Sequence, residues 1–388
     1  MDLGQRIHRL RVARGLTQRE LAEPGYTAAY VSSVESGKRT PSSDALSYFA
    51  QRLDTSLDEL IGRTTETPLD LAFAEALASG TGFEEVAAQA HSLGDARWQA
   101  WALLQLDPVA HLETCTQLLA DAPPLDRLPL VLARAAQSET RYAIYLLERL
   151  RDELTRDGYP SPDARHALSA HLAARFLDLG DEDRAAADAD EALSLTYQAD
   201  PAAYLETART LLAARQRVDA TVAIGQSIAC YRRAALTRQI AACHRARGRR
   251  LRDVSDLDAA AANLIEARAL YGDCDEGLDV AVELAEVQRL RGLAAEAEDL
   301  IAQALSSEGR ALRLARAHRE LGLLALARGA TSDAEAMLRR AIDLYQETGP
   351  ARELGRTLSA LSDLLSGQGR LPEAAELLRT GLLTLLSR

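Results

Sequence analysis

The sequence predicts an all-α protein in two parts: five short helices at the N-terminus, then a long array of helical hairpins. Three observations carry this. Apolar residues recur at three- and four-residue intervals, and no segment has the β-branched alternation of a strand. Glycines that stop helices and hydroxyl residues that cap them punctuate the first sixty residues at short intervals. Small residues return at fixed offsets through the C-terminal half, the mark of an internal repeat.

The chain has 388 residues, room for a small domain and a larger one. It is 47% hydrophobic and only 4% aromatic, with alanine, leucine and arginine abundant, a mixture suited to closely packed helices. No stretch approaches the ~20 apolar residues that span a bilayer. The N-terminus, MDLGQRIHRLR, lacks the apolar core of a signal peptide, so a cytoplasmic protein without membrane contact is expected. Cys115, Cys230, Cys243 and Cys274 lie far apart with no C-x-x-C pair. His166 and His171 stand five apart, off the i, i+4 spacing of paired ligands. Neither a metal nor a cofactor is expected. With no phosphate loop or nucleophile motif, neither is a catalytic residue or an enzyme activity.

The net charge is −12, unevenly spread: residues 1–63 balance at +1 and the remainder at −13. A net charge of −12 does not suggest a nucleic-acid binder as a whole, and any contact with a polyanion is expected from local patches of the N-terminal part, with the acidic remainder turned away.

The head can be read element by element. Ile7 and Leu10 share a helical face, and Gly15 ends that helix. Thr17-Gln-Arg-Glu20 is a capping box opening a second helix with Leu21 and Ala22 on its apolar side. Pro24-Gly25 makes a tight turn. Thr27 caps a third helix, Ala28 to Ser36, with Val31 and Val34 inward and Gly37 beyond its end. Pro41-Ser-Ser43 opens a fourth, striped by Leu46, Phe49, Ala50 and Leu53. Ser56-Leu-Asp-Glu59 opens a short fifth with Leu60 and Ile61. Two of these helices joined by a tight glycine turn describe a helix-turn-helix domain.

GLTQRELA, YVSSVESGKRTPS and LDELI, in that order across residues 3–61, resemble the phage-repressor-type (XRE-like) helix-turn-helix family of bacterial regulators. The family usually has three residues between the alanine of helix 2 and the turn glycine. Ala22-Glu-Pro-Gly25 has two, so helix 2 is expected to end early. The resemblance implies that Ala28, Ala29 and Ser33 meet base edges in the major groove of double-stranded DNA, with Thr27 and Tyr30 nearby. It gives Gln18 a phosphate-clamping role at a helix N-terminus, and makes Arg11 and Glu35 a structural pair bridging helices 1 and 3. Lys38, the only lysine in the chain, and Arg39 follow helix 3, where they can neutralise phosphates. Alanine cannot hydrogen-bond a base, so direct readout is expected to be thin.

The head is assigned to residues 1–63, and the polar stretch ending at Pro68 supplies a linker at 64–68. Residues 69–160 are helical but interrupted by Pro108, Pro123-Pro124, Pro129 and Pro160, and read as divergent repeats or a cap. The repeat is clear in 161–388. Taking Gly180, Arg215, Ser255, Gly292, Gly329 and Gly369 as origins, small residues stand at +5 and +12: Ala185 and Ala192, Ala220 and Ser227, Ala260 and Ala267, Ala297 and Ala304, Ala334 and Ala341, Ala374 and Gly381. A large apolar residue stands at +9 in five of the six, at Ile224, Leu264, Ile301, Leu338 and Leu378. The small residues let the second helix of each hairpin approach its neighbours, and the large one fills the space between repeats.

This pattern resembles tetratricopeptide repeats, which form right-handed helical-hairpin solenoids with a concave groove. A repressor-type head followed by such repeats is similar to bacterial peptide-sensing transcription factors. That resemblance implies a homodimer that binds DNA half-sites about one helical turn apart and carries a ligand in the groove. Those receptors commonly hold the peptide backbone with asparagines. Here the one asparagine, Asn263, falls on the second helix of its repeat, away from a groove lined by first helices. A peptide, a small molecule and a protein therefore all remain as ligands, at residues the sequence does not identify. The alternative to a sensor is a DNA-tethered scaffold whose repeats recruit a partner protein.

Overall fold

The structure, a computed structural model, describes residues 3–53, 55, 57, 60, 69–156, 161–195, 200–214, 216–306 and 310–386. Among them every regular element is an α-helix. The chain divides into two compact units, residues 1–239 and 240–388.

The head, in the first unit, begins with α1 (Leu3–Ala13), α2 (Gln18–Ala22), α3 (Ala28–Glu35) and α4 (Ser43–Arg52). The local signals act as expected. Thr17 Oγ1 accepts the Glu20 N–H at 3.1 Å while Glu20 Oε2 accepts the Thr17 N–H at 2.7 Å. Thr27 caps α3 and Ser42 caps α4 through their hydroxyls. Gly15 and Gly37 take φ of +69° and +71°, where a side chain is disfavoured. Ile7, Leu21, Val31, Val34, Phe49, Leu53 and Leu60 close one core. Apart from Leu57 and Leu60, the fifth helix read from Ser56, and the linker at 64–68, lie outside the described residues.

The rest of the first unit runs α5 (Leu69–Ser79), α6 (Phe83–Ser92), α7 (Ala96–Leu106), α8 (Leu112–Leu118), α9 (Leu128–Ala136), α10 (Thr140–Arg156), α11 (Pro162–Leu179), α12 (Glu182–Ser194), α13 (Pro201–Ala213) and α14 (Arg217–Ala234). A solenoid stacked only on nearest neighbours would keep its first and last helices apart. Here Leu69 and Phe73 of α5 share a core with Leu205 of α13 and Ile224 and Ile228 of α14, and Arg209 on α13 pairs with Glu75 on α5 at 3.1 Å. Helices α5–α14 therefore close upon themselves, a difference from a linear array that the repeat spacing does not reveal.

The division between units falls within α15 (Thr237–Asp253). The second unit continues with α16 (Leu257–Tyr271), α17 (Asp275–Leu290), α18 (Ala294–Leu305), α19 (Ala311–Ala327), α20 (Thr331–Thr348), α21 (Ala351–Gly367) and α22 (Leu371–Leu386). The repeat offsets carry the packing. All twelve small residues at +5 and +12 are buried. So are Ile224, Leu264, Ile301 and Leu338 at +9, whereas Leu378 is 41% exposed. Ser255 occupies at φ +64° the turn position held elsewhere by Gly180, Gly292, Gly329 and Gly369.

Candidate functional site

Two features of the first unit stand out: the exposed edge of α3, and a cavity bounded by the head and the helices that follow it.

Thr27, Ala29, Ser32, Ser36 and Lys38 are exposed, and Ala28, Ser33 and Arg39 partly so, making one continuous polar edge from the N-cap of α3 to the turn beyond it. The Thr27 hydroxyl is spent on capping, accepting the Tyr30 N–H at 3.2 Å. Ser33 Oγ donates to the Ala29 carbonyl at 2.9 Å and keeps its lone pairs. The Lys38 and Arg39 backbone N–H groups both donate to the Ser33 carbonyl, folding the chain back onto the end of the helix. Ser32 and Ser36 were not among the expected residues. Their i, i+4 spacing from Ala28 was the available signal.

Tyr30, expected near the base edges, is a correction. It is 8% exposed, and its ring stacks on Tyr26 at 4.9 Å and lies near Phe49. The reason is periodicity: Tyr30 precedes Val34 by four and so falls on the buried face. Its outer ring face instead supports Arg39, whose guanidinium carbon lies 5.5 Å from the ring centroid.

Arg11 Nε donates to Glu35 Oε1 at 2.6 Å and Arg11 Nη2 to Glu35 Oε2 at 3.0 Å, a bidentate bridge between α1 and α3. Gln18 Nε2 donates to the same carboxylate at 2.8 Å. Burial pushes the Glu35 carboxyl upward, but the bonds from Arg11, Gln18 and His8 outweigh it and hold the group below its ordinary range. Gln18 therefore joins the N-terminus of α2 to the recognition helix, its amide turned to Glu35.

Tyr48 on α4 carries the short turn. Its hydroxyl donates to the Ala22 carbonyl at 2.9 Å and accepts the Gly25 N–H at 3.2 Å. Nothing in the sequence marks this role except an aromatic beside Phe49, off the apolar stripe.

The cavity holds about 610 Å3 and is lined by α4, α7, α9, α11, α14 and the loops between them. Trp98 and Trp101 form its aromatic wall, their ring centroids 5.1 Å apart. Arg97 lies 4.3 Å from the Trp98 centroid and Arg232 4.0 Å from that of Trp101. Arg233 is tied to Asp163 at 2.5 Å. Burial pushes His171 down to about 4, leaving it neutral near pH 7. Asp44 faces the cavity from α4 with its side chain open to that space; the surrounding protein, reinforced by Asp126, pushes its carboxyl up to about 6. Burial likewise pushes Arg232 down to about 10, with Asp44 the carboxylate that most supports its charge. The signal in the sequence was there: the only two tryptophans stand three apart, behind an arginine. Among the described residues no group of three metal-ligating side chains converges, and no helix is long and apolar enough to cross a membrane.

A family model described as a helix-turn-helix domain matches residues 2–60. The uncharacterized HTH-type transcriptional regulator y4dJ of Sinorhizobium fredii is 43% identical over 67 residues, 17% of this chain and 87% of that protein. Among solved structures, the apo form of the quorum sensor NprR from Bacillus thuringiensis is similar at 17% identity and a TM-score of 0.46, covering 81% of this chain and 97% of that one. Bacillus thuringiensis PlcR, solved with the peptide PapR7 and DNA, is similar at 14% identity and a TM-score of 0.28, covering 86% and 98%.

Proposed function

The chain belongs to the helix-turn-helix transcriptional regulators, and on that premise we propose that it is a ligand-responsive one, acting in the cytoplasm as a homodimer on paired half-sites in double-stranded DNA. In this reading Ala28, Ala29 and Ser33 lie along base edges, with Thr27 beside them. Lys38, Arg39 and the N-terminus of α2 at Gln18 meet phosphates, and Arg11–Glu35 holds α3 at its angle. Ser32 adds a second exposed hydroxyl to the reading edge. Tyr30 acts from beneath, as the platform for Arg39.

The single observation that supports ligand response is that the head helix α4 forms part of the cavity wall together with α7, α9, α11 and α14. An occupant of that space touches the DNA-binding head itself. Its binding free energy therefore depends on how the head is held, which is what coupling requires.

The test is selection of bound DNA from a random pool by the full chain, with and without a small-molecule cell extract. Enrichment of a two-half-site sequence that the extract strengthens or weakens is the expected result. Enrichment that no extract alters would favour the scaffold reading, and absence of any enriched sequence would defeat both.

A further inference from the structure

We propose that the cavity of the first unit is a binding site for a small amphiphilic organic anion, whose apolar body lies against Trp98 and Trp101 and whose carboxylate or similar group binds Arg97 and Arg232 in place of Asp44. This deepens the ligand-responsive reading above and, for its effect on DNA, rests on it.

The two guanidinium groups are the first reason. Each lies over an indole, and among the described residues neither donates a hydrogen bond to a carboxylate or carbonyl or forms an ion pair. Arginine placed flat on an aromatic ring keeps its N–H donors directed edgewise, the arrangement that receives a planar carboxylate. Such donors are costly to leave unanswered in a confined space. The neighbouring arginine does not share the vacancy, because Arg233 is committed to Asp163 and to the Leu195 carbonyl.

The lining is the second reason. Leu104, Leu128, Leu132, Ile228 and Leu236 face the same space, and about 610 Å3 falls within the range of roughly 300–1,000 Å3 typical of small-molecule sites. An inorganic anion would leave that apolar wall wet. An amine would answer Asp44 but add a third positive charge beside Arg97 and Arg232. An anion with an apolar body satisfies both walls.

Asp44 supplies the consequence. It is the one carboxylate the head contributes to the cavity, and no hydrogen bond holds it among the described residues. Across the cavity it is the carboxylate whose charge most supports that of Arg232, ahead of Asp163 and Asp126, without an ion pair between the two. A ligand anion takes over that role and removes the electrostatic reason for α4 to stay against the wall.

The experiment titrates the full chain with 1-anilinonaphthalene-8-sulfonate and with N-phenyl-1-naphthylamine, which has the same aromatic body without the anion. Energy transfer from tryptophan is followed, since Trp98 and Trp101 are the only tryptophans in the chain. One sulfonate per chain is expected, with Arg232→Gln and Arg97→Gln each weakening it about tenfold, the loss of one charge-assisted contact, and leaving the neutral probe unchanged. Asp44→Asn is expected to tighten the sulfonate several-fold and leave the neutral probe unchanged, a selective gain distinct from the increase for both aromatic probes that loosened packing would give. Equal losses for both probes, or no response to any of the three substitutions, would overturn the site. DNA affinity measured with the sulfonate bound separates the two ideas: an unchanged affinity leaves the anion site standing and defeats the ligand-responsive reading.

Discussion

The hydroxyl of Tyr48 bridges the two sides of the helix-turn-helix turn, donating to the Ala22 carbonyl at 2.9 Å and accepting from Gly25 N–H at 3.2 Å. The turn leaves α2 only five residues, and a side chain from α4 supplies bonds that a longer helix would make for itself. Gly25 is tied to the same ring: a Cβ there would stand 2.8 Å from Tyr48 Cε2. Tyr48→Phe should therefore lower the stability of the head by about 1 kcal/mol. Gly25→Ala should cost about 1–3 kcal/mol, because the ring is hemmed in by Tyr26 and Phe49. Chemical denaturation monitored through tyrosine fluorescence checks both, and an unaltered midpoint for either substitution would contradict the arrangement.

The Arg11–Glu35 bridge gives the head an acid limit. The folded-state pKa of Glu35 is depressed, so its contribution is complete above the ordinary glutamate value of ~4.3 and is lost as pH falls through the lower, folded value. Glu35→Gln should be less stable than the parent at neutral pH, and the difference should shrink as the pH is taken below ~4. Melting curves of both proteins between neutral and acid pH provide the comparison; parallel curves would contradict the linkage.

Arg39 lies over the Tyr30 ring just past the C-terminus of α3, where a guanidinium is placed to meet a phosphate. Arg39→Ala is expected to weaken binding by a similar factor for every DNA sequence and to reduce the slope of log affinity against log salt by about one. A shift in base preference at constant affinity would instead make Arg39 a reader of bases.

Much of this architecture is legible in the residues themselves, and the reason is steric. Alanine at +5 and +12 has one use in a hairpin array, to let helices approach, and each such residue is buried. A further position was equally readable. Seven residues before each origin stand Ala173, Ala208, Gly248, Ala285, Gly322 and Ser362, all buried. At Gly248 and Gly322 an added Cβ would come within 2.8 Å of Leu264 and Leu338, the +9 residues of the same hairpins. Beyond its Arg97–Trp98–Trp101 wall the cavity was not legible, because it is assembled from residues as distant as Asp44 and Gln239 by the closure of α5 onto α14. A periodicity describes neighbours along a helix array and carries no signal for which distant helices meet. Tyr30 shows the opposite failure. Its place in a motif suggested DNA, while its own spacing from Val34 put it in the core.

The second unit holds a charge cluster that composition alone would not locate. Glu283 on α17 accepts from Arg245 at 2.6 Å and Arg249 at 2.5 Å, both on α15, and from Arg316 on α19 at 3.2 Å, with only 3% of its side chain exposed. Burial would push this carboxyl upward, but the Arg245 and Arg249 guanidinium groups drive it well below the ordinary range. One carboxylate thus joins three successive first helices, and the converging arginines repel one another without it. Glu283→Gln should cost about 3–5 kcal/mol, the penalty of leaving buried charges unpaired, and lower the unfolding temperature by about 10 °C. High salt should recover little of this, since a buried cluster is poorly screened. Pairing the change with Arg249→Gln should cost less than the two single substitutions together, by at least about 1 kcal/mol. Strict additivity would mean that the arginines are held by their other contacts, and that Glu283 does not organise the row.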